Sequence, residues 1–274
     1  MAGSTKRPQR LRLCFVGWGA IARRTAELLM QRRSAVEIVA VGLRSPERQP
    51  EGLPAGVRLL TSADELAGLG VGMVVEAAGR DAVAAWGEGA LRHAGAFAVA
   101  SAAALCDDAL LARLIATAEE HGSRLVVPSG ALGDLGALGA ASILPLDEVV
   151  HAIVKPPRAW RGTEAGQILD LETLSVRHAF FRGSAREAAS RYPQNANATV
   201  ISALSGLGLD RTQVVLVADP AATGNVHEVT AVGDFGSLSL RLENRPLKAN
   251  PKSSEMTALS LVKLVEDAVA PLLR

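Results

Sequence analysis

Leu11-Arg12-Leu13-Cys14-Phe15-Val16-Gly17-Trp18-Gly19-Ala20-Ile21-Ala22 is the stretch whose reading decides the fold. Its first six residues form a short, mainly apolar run that reads as a buried strand. Gly17 and Gly19 follow at once, and Ile21, Leu28 and Leu29 then recur at helical spacing. A strand that passes through Gly-x-Gly-x-x-Ala into a helix has a mechanical meaning. Gly17 permits a tight turn, Gly19 lets the backbone approach a pyrophosphate, and Ala22 is small enough for the helix to pack closely on the strand. The amides at the helix start, at Ala20 and Ile21, then face the phosphates. An ordinary strand-to-helix turn is the competing explanation, and only the surroundings separate the two.

Those surroundings alternate. Strand-like runs at 36–41, 72–77, 97–101 and 123–127 are separated by helical patterns, and prolines and glycines make 46–56 a loop. Asp107-Asp108 opens a helix with anions at its positive end, and Gly122 ends it. This rhythm predicts an α/β fold whose first part is a Rossmann doubly wound parallel sheet. The character changes after residue 130. A Gly-rich hinge at 130–139 precedes strands at 149–154, 175–182 and 213–218, then a hairpin of 227–234 and 238–244. Leu238, Leu240 and Leu242 alternate with Ser239, Arg241 and Glu243, as in a half-buried antiparallel strand. Ala258, Leu261, Val262, Val265, Ala268, Val269 and Leu272 mark a closing amphipathic helix. The expected plan is a disordered tail at 1–9 and a dinucleotide-binding domain at 10–130. A catalytic α+β domain of mostly antiparallel sheet follows at 131–253, and a helix at 254–274 packs back on the first domain.

Composition bounds the partners. Apolar residues make up 49% of the 274, but aromatics only 3%, so Ala, Val and Leu must fill the core. A formal net charge of +1 gives no general argument for nucleic acid or membrane partners. No run is long enough to span a bilayer, and the first ten residues are polar with no apolar segment behind them, so no signal peptide is expected. Cys14 and Cys106 are isolated, which argues against a disulfide framework and for a reducing, cytoplasmic compartment. No metal is expected.

A dehydrogenase that demands NAD ends its second strand in Asp or Glu, which holds the ribose 2′-hydroxyl. Here that strand ends in Val41-Gly42-Leu43-Arg44-Ser45, with no acid. Arg44 and Ser45 can accept a 2′-phosphate, so the cofactor is expected to be NAD or NADP. The alternative is that Arg44 is a solvated loop charge.

Three stretches of the second half stand out. They are Lys155-Pro156-Pro157-Arg158-Ala159-Trp160-Arg161-Gly162-Thr163, then Phe181 to Ala198 with Tyr192-Pro193-Gln194-Asn195-Ala196-Asn197, and Gly224-Asn225-Val226-His227-Glu228-Val229. With Pro128-Ser129-Gly130-Ala131 at the domain junction, their order and spacing closely resemble the L-aspartate dehydrogenase family. The likeness runs over nearly the whole chain. The resemblance implies oxidation of L-aspartate to iminoaspartate, then hydrolysis to oxaloacetate and ammonia, with a link to pyridine-nucleotide biosynthesis. It also implies that His227 is catalytic and that Ala131 and Asn197 contact the cofactor.

That chemistry asks for a base titrating near neutrality, and histidine does so when unperturbed. Of five histidines, His93 and His121 sit at helix ends and His151 and His178 sit in strands, where structural roles are the default. His227 starts a strand directly after a Gly-Asn turn, from which a side chain can enter a cleft. A dicarboxylate also needs cations or donors. Lys155, Arg161, Thr163 and Asn195 are the candidates, each against the simpler reading of a surface charge or a helix cap. Ser184 and Glu187 fit a capping box as well as a substrate role. Trp160 fits both a pocket wall and the core. A homodimer or homotetramer is expected, because one sheet face of the second domain needs covering. The rivals are a dehydrogenase or reductase of another amino or keto dicarboxylate, and a nucleotide-sensing protein that has lost the chemistry.

Overall fold

In this computed structural model, which describes residues 10–45 and 50–273, the opening stretch forms strand β1 (Leu11–Val16) and helix α1 (Ala20–Gln31). The expected tail at 1–9 lies outside the described residues. The chain continues through β2 (Val36–Gly42), β3 (Arg58–Leu60), β4 (Met73–Glu76), α2 (Arg80–His93), β5 (Ala96–Val99), α3 (Asp108–His121) and β6 (Arg124–Val126). These strands make one six-stranded sheet in the order β3-β2-β1-β4-β5-β6, with every neighbouring pair parallel. Strand order reverses between β1 and β4, and such a switch point is where open α/β sheets bind ligands.

Apolar runs rather than alternation mark β1, β4 and β5, because both faces of this sheet are covered. Leu13, Phe15, Val41, Met73, Val75, Ala96 and Ala98 form a core with Ala22, Ala26 and Leu29 of α1. Ala22 is fully buried there, which is why a small residue ends the glycine motif. Leu261, Val262 and Val265, from the end of the chain, complete this core. Each such fully buried aliphatic side chain contributes roughly 1.5–3 kcal/mol. Cys14, between Leu13 and Phe15 on β1, is also buried, and burial pushes its thiol up to about 12, leaving it uncharged.

The remaining elements are α4 (Gly136–Ala141), β7 (Leu146–Lys155), α5 (Ala165–Ile168), β8 (His178–Ser184), α6 (Ala185–Arg191), α7 (Ala196–Ser205) and β9 (Gln213–Ala218). Then come β10 (Asn225–Gly233), β11 (Gly236–Asn244), β12 (Pro246–Leu247), β13 (Asn250–Ser254) and α8 (Glu255–Asp267). A five-stranded sheet runs β11-β10-β7-β9-β8. Its β7–β9 pair is parallel and its other pairs are antiparallel. The expected hairpin is present, but β10 and β11 reach in to Gly233 paired with Gly236, so its turn is only Asp234-Phe235. The Gly-rich 130–139 region forms a 3-10 turn, Gly130–Leu132, and the short α4.

Two compact units emerge. Of the described residues, one comprises those of 10–101, 109–128 and 261–273, and the other 102–108 and 129–260. The closing helix thus returns to the first unit, as its apolar stripe suggests, while 102–108 belongs to the second, which a boundary at 130 does not anticipate. Residues 102–106 form a 3-10 turn of buried Ala102, Ala103, Ala104 and Leu105, and α7 packs on it, which draws that segment into the second unit.

Candidate active site

Two places in the chain carry chemistry, one in each unit. The first is the β1–α1 turn. Gly17 takes φ +88, and a Cβ there would lie 2.6 Å from the Cβ of Ala78 in the loop after β4. Gly17 is thus required both by its backbone and by its neighbour. Gly19, at φ −80, caps α1 with no side-chain hydrogen bond. A Cβ on Gly19 would meet no atom within 4 Å, so the space above it stands open. The first-turn amides of Ala20 and Ile21 lie at that open end. An open cradle at a helix N-terminus, placed at the switch point of the sheet, fits the pyrophosphate of a dinucleotide.

Glu76, at the end of β4, holds the neighbouring loop and had no role in the sequence reading. It is fully buried. One carboxylate oxygen accepts from Ala78 N and Gly79 N at 2.7 Å and from Ser101 Oγ at 2.9 Å; the other accepts from Ser101 N at 2.9 Å. A buried carboxylate is tolerable only with such partners. They bind the loops after β4 and β5 together and set Ala78 against Gly17. Arg44, expected at the 2′-position, is exposed and follows the end of β2.

The second place is one face of the β7–β10–β9 sheet. Pairing of Val229 with His151 and of His227 with Ile153 puts both histidines on the same face. Lys155 shares it by parity along β7, and Val150, Ala152 and Val154 point the other way. His227 Nδ1 lies 3.0 Å from His151 Nε2, and His151 Nδ1 lies 2.8 Å from Ser202 Oγ on α7. His151 is fully buried and His227 is 6% exposed. Burial pushes the His227 imidazole down to about 3, assisted by the charge on Lys155. Burial and the facing His227 ring likewise push His151 well below its ordinary range. The expectation of a histidine titrating near neutrality is thereby corrected, since the isolated ring is too desolvated to hold a proton.

Burial also pushes the Lys155 ammonium down to about 8. Its Nζ donates to Asn195 Oδ1 and sits 5.0 Å from the centroid of the Trp160 ring. Asn195 occupies the N-cap of α7 without a side-chain capping bond, so Lys155 rather than the helix engages its amide. Trp160 fills the core, donating to Val217 O at 3.0 Å, and also floors the lysine. Asn197 Oδ1 accepts from Ala103 N at 2.9 Å, and Ala131 O accepts from Asn244 Nδ2 at 2.8 Å. Both of these cofactor candidates therefore have structural bonds within the second unit.

Two substrate candidates are engaged elsewhere. Arg161 is exposed and makes a two-pronged pair with Glu172. Thr163 Oγ1 donates to Trp160 O at 2.7 Å and accepts from Ala165 N, as a helix-start residue does. Ser184 and Glu187 form a complete capping box on α6, which gives both side chains a structural role. His151 and Ser202 were missed. The parity of His151 with Lys155 was readable, but its partners lie 51 and 76 residues away, and only register brings them together.

A parallel dinucleotide-type sheet joined to a mixed sheet that carries a buried histidine defines the class of two-unit nicotinamide-dependent oxidoreductases. The family profile "Homoserine dehydrogenase, NAD binding domain" matches residues 17–128, and "Aspartate dehydrogenase, C-terminal" matches 136–268. The L-aspartate dehydrogenase of Brucella anthropi is 52% identical over 258 residues, covering 94% of this chain and 96% of that one. That of Cupriavidus necator is 40% identical over 257 residues, covering 92% and 96%. The chain belongs to the L-aspartate dehydrogenase family. Its fold is shared with the aspartate dehydrogenase of Thermotoga maritima, at a TM-score of 0.76 and 23% identity over 97% of this chain and 99% of that one.

Proposed function

We propose that the protein oxidises L-aspartate at its α-carbon to iminoaspartate, which water converts to oxaloacetate and ammonia, and that it also runs the reverse amination. The observation that carries this reading is the placement of a buried His227 and a desolvated Lys155 on one sheet face. When bound, NAD or NADP would supply the hydride acceptor, and Gly17, Gly19, Ala20 and Ile21 would hold its pyrophosphate. Arg44 would take the 2′-phosphate of NADP, and Ala131 and Asn197 would contact the cofactor.

The substrate must lose a proton from its ammonium before the nitrogen lone pair can help expel hydride. His227 accepts that proton, releases it to solvent, and is then free to accept one from the attacking water. Lys155 and Asn195 bind a carboxylate. The negative charge brought by the dicarboxylate opposes the lysine charge and raises the pKa of His227 toward a useful range. Arg161 and Thr163 enter only if the pair with Glu172 and the bond to Trp160 O are exchanged for substrate.

Among the described residues no helix is long and apolar enough to cross a membrane, and no group of three metal-ligating side chains occurs. The thiols of Cys14 and Cys106 fit a reducing compartment; a cytoplasmic location and a link to pyridine-nucleotide biosynthesis belong to the same proposal. So does assembly as a homodimer or homotetramer.

The test is NAD(P)H production by wild type and His227→Ala with L-aspartate, L-glutamate and L-homoserine. Aspartate alone should support turnover, and the variant should lose about 10²–10⁴-fold in kcat. Equal activity in both proteins rejects the mechanism. Arg44→Ala should raise KM for NADP more than for NAD, and a strong NAD preference that survives it rejects the 2′-phosphate role.

A further inference from the structure

His227 does not stand alone. Its Nδ1 meets His151 Nε2 at 3.0 Å, His151 Nδ1 meets Ser202 Oγ at 2.8 Å, and Ser202 Oγ lies 2.9 Å from Thr199 O. The last partner is a carbonyl, which can only accept. The Ser202 proton therefore lies between the two oxygens, since otherwise their lone pairs face each other at hydrogen-bond distance. Ser202 Oγ is left to accept from His151, so His151 carries its proton on Nδ1 and presents a bare Nε2. That nitrogen can only accept, so the His227 proton lies on Nδ1. Both rings are neutral near pH 7, because burial pushes each down. Each of the three donors in this chain has one acceptor, and the chain fixes one direction.

We infer that His151 and Ser202 are positioning residues that hold His227 in the Nδ1-protonated tautomer and leave its Nε2 as the bare, proton-accepting nitrogen. The tautomer usually preferred by a free histidine side chain carries the proton on Nε2 and would offer a donor where the reaction needs an acceptor. A second-sphere partner that fixes tautomer and ring orientation is a recurrent device for histidine bases. The arrangement explains why a polar histidine and a serine are buried together beneath α7, where two apolar side chains would fill the same space with no desolvation. His151 has no route of its own to the reaction, since both of its ring nitrogens are occupied within the relay.

The inference rests on His227 being the base proposed above, and its test separates the two. The full-length protein is labelled with nitrogen-15 histidine, and long-range nitrogen–proton correlation spectra assign each ring nitrogen as protonated or bare. The His227 signals are identified by their loss in His227→Gln. The expected spectrum shows His227 protonated at Nδ1 and bare at Nε2, and His151 protonated at Nδ1. A proton on Nε2 of His227 overturns the inference. In kinetics with aspartate, His151→Leu should lower kcat by about 10²-fold or more while KM changes little, as expected for a wrong tautomer. His151→Gln, whose side-chain oxygen can take the place of Nε2, should recover at least about tenfold of that loss. Equal losses in the Leu and Gln variants, or none in either, overturn the inference. A protein that shows the expected tautomer but does not oxidise aspartate rejects the substrate reading and leaves the relay standing.

Discussion

Gly17 and Gly19 lie two residues apart and make opposite demands. Alanine at Gly17 meets a φ of +88 and a neighbouring Cβ at 2.6 Å, so Gly17→Ala should destabilise the fold by about 2–4 kcal/mol in urea titrations. Alanine at Gly19 meets an ordinary φ and open space, so Gly19→Ala should stay within about 0.5 kcal/mol of wild type. Its methyl instead stands where the phosphates approach, and cofactor titration should show Kd raised at least about tenfold. An unchanged Kd would place the phosphates elsewhere. Lys155 offers a pH test. Its folded pKa, about 8, lies below the model-compound 10.5, so between those values the unfolded chain holds more protons and stability rises with pH. Below pH 8 the burial penalty stands in full. Lys155→Met should therefore gain about 1–2 kcal/mol over wild type at pH 7, lose that gain by about pH 10.5, and be inactive throughout. The glycines, His227 and Lys155 were legible from the sequence because their neighbours along the chain explain them. Glu76, His151 and Ser202 were not, because each is explained by a group brought near only by folding.

Helix starts and strand parity carry the argument at the scale of elements. On α6, the hydroxyl of Ser184 accepts from Glu187 N, and Glu187 accepts from Ser184 N in return. These bonds satisfy amides that a helix of only seven residues could not otherwise pair. Ser184→Ala should cost about 1 kcal/mol by thermal or urea unfolding and leave kcat and KM for aspartate unchanged. A fall in kcat would return Ser184 to the substrate site. Strands long enough to show a pattern, such as β1, β9 and β11, were readable in advance. β3, of three residues, and β12, of two, are too short to display any period, so the sequence reading passed over them. Register is a further step. His151 and His227 share a face only because Val229 pairs with His151, and a slip of one residue would turn one of them to the opposite side. Alternation in either strand alone cannot reveal that.

The two-unit plan of the whole molecule was visible as a change from short parallel-type strands to longer alternating ones. The return of the closing helix to the first unit was expected from its apolar stripe, but the passage of 102–108 into the second unit was not, because that segment joins its unit through contacts with residues far away in the chain. The expected assembly also belongs to this scale. The face of the second sheet opposite the histidines carries Val150, Ala152, Val215 and Val217 in a shallow groove of about 500 Å³, bounded by Arg177, Arg182 and Glu228. Thr230 and Val232 continue that face along β10 and are exposed. An apolar floor edged by charges of both signs suits a second copy of the same face, since a two-fold contact sets each charge against its opposite. A stable contact of this kind covers roughly 800 Å² on each partner. Arginine at both Thr230 and Val232 sets like charges against each other across the two-fold, and neither side chain belongs to the buried core. Light scattering should find wild type as a dimer or a larger even assembly and the double variant as a monomer. The melting temperature of wild type should rise with protein concentration, and that of the variant should not. A wild type that scatters as a monomer at every concentration would refute the assembly, while a variant that stays dimeric would move the contact to another face.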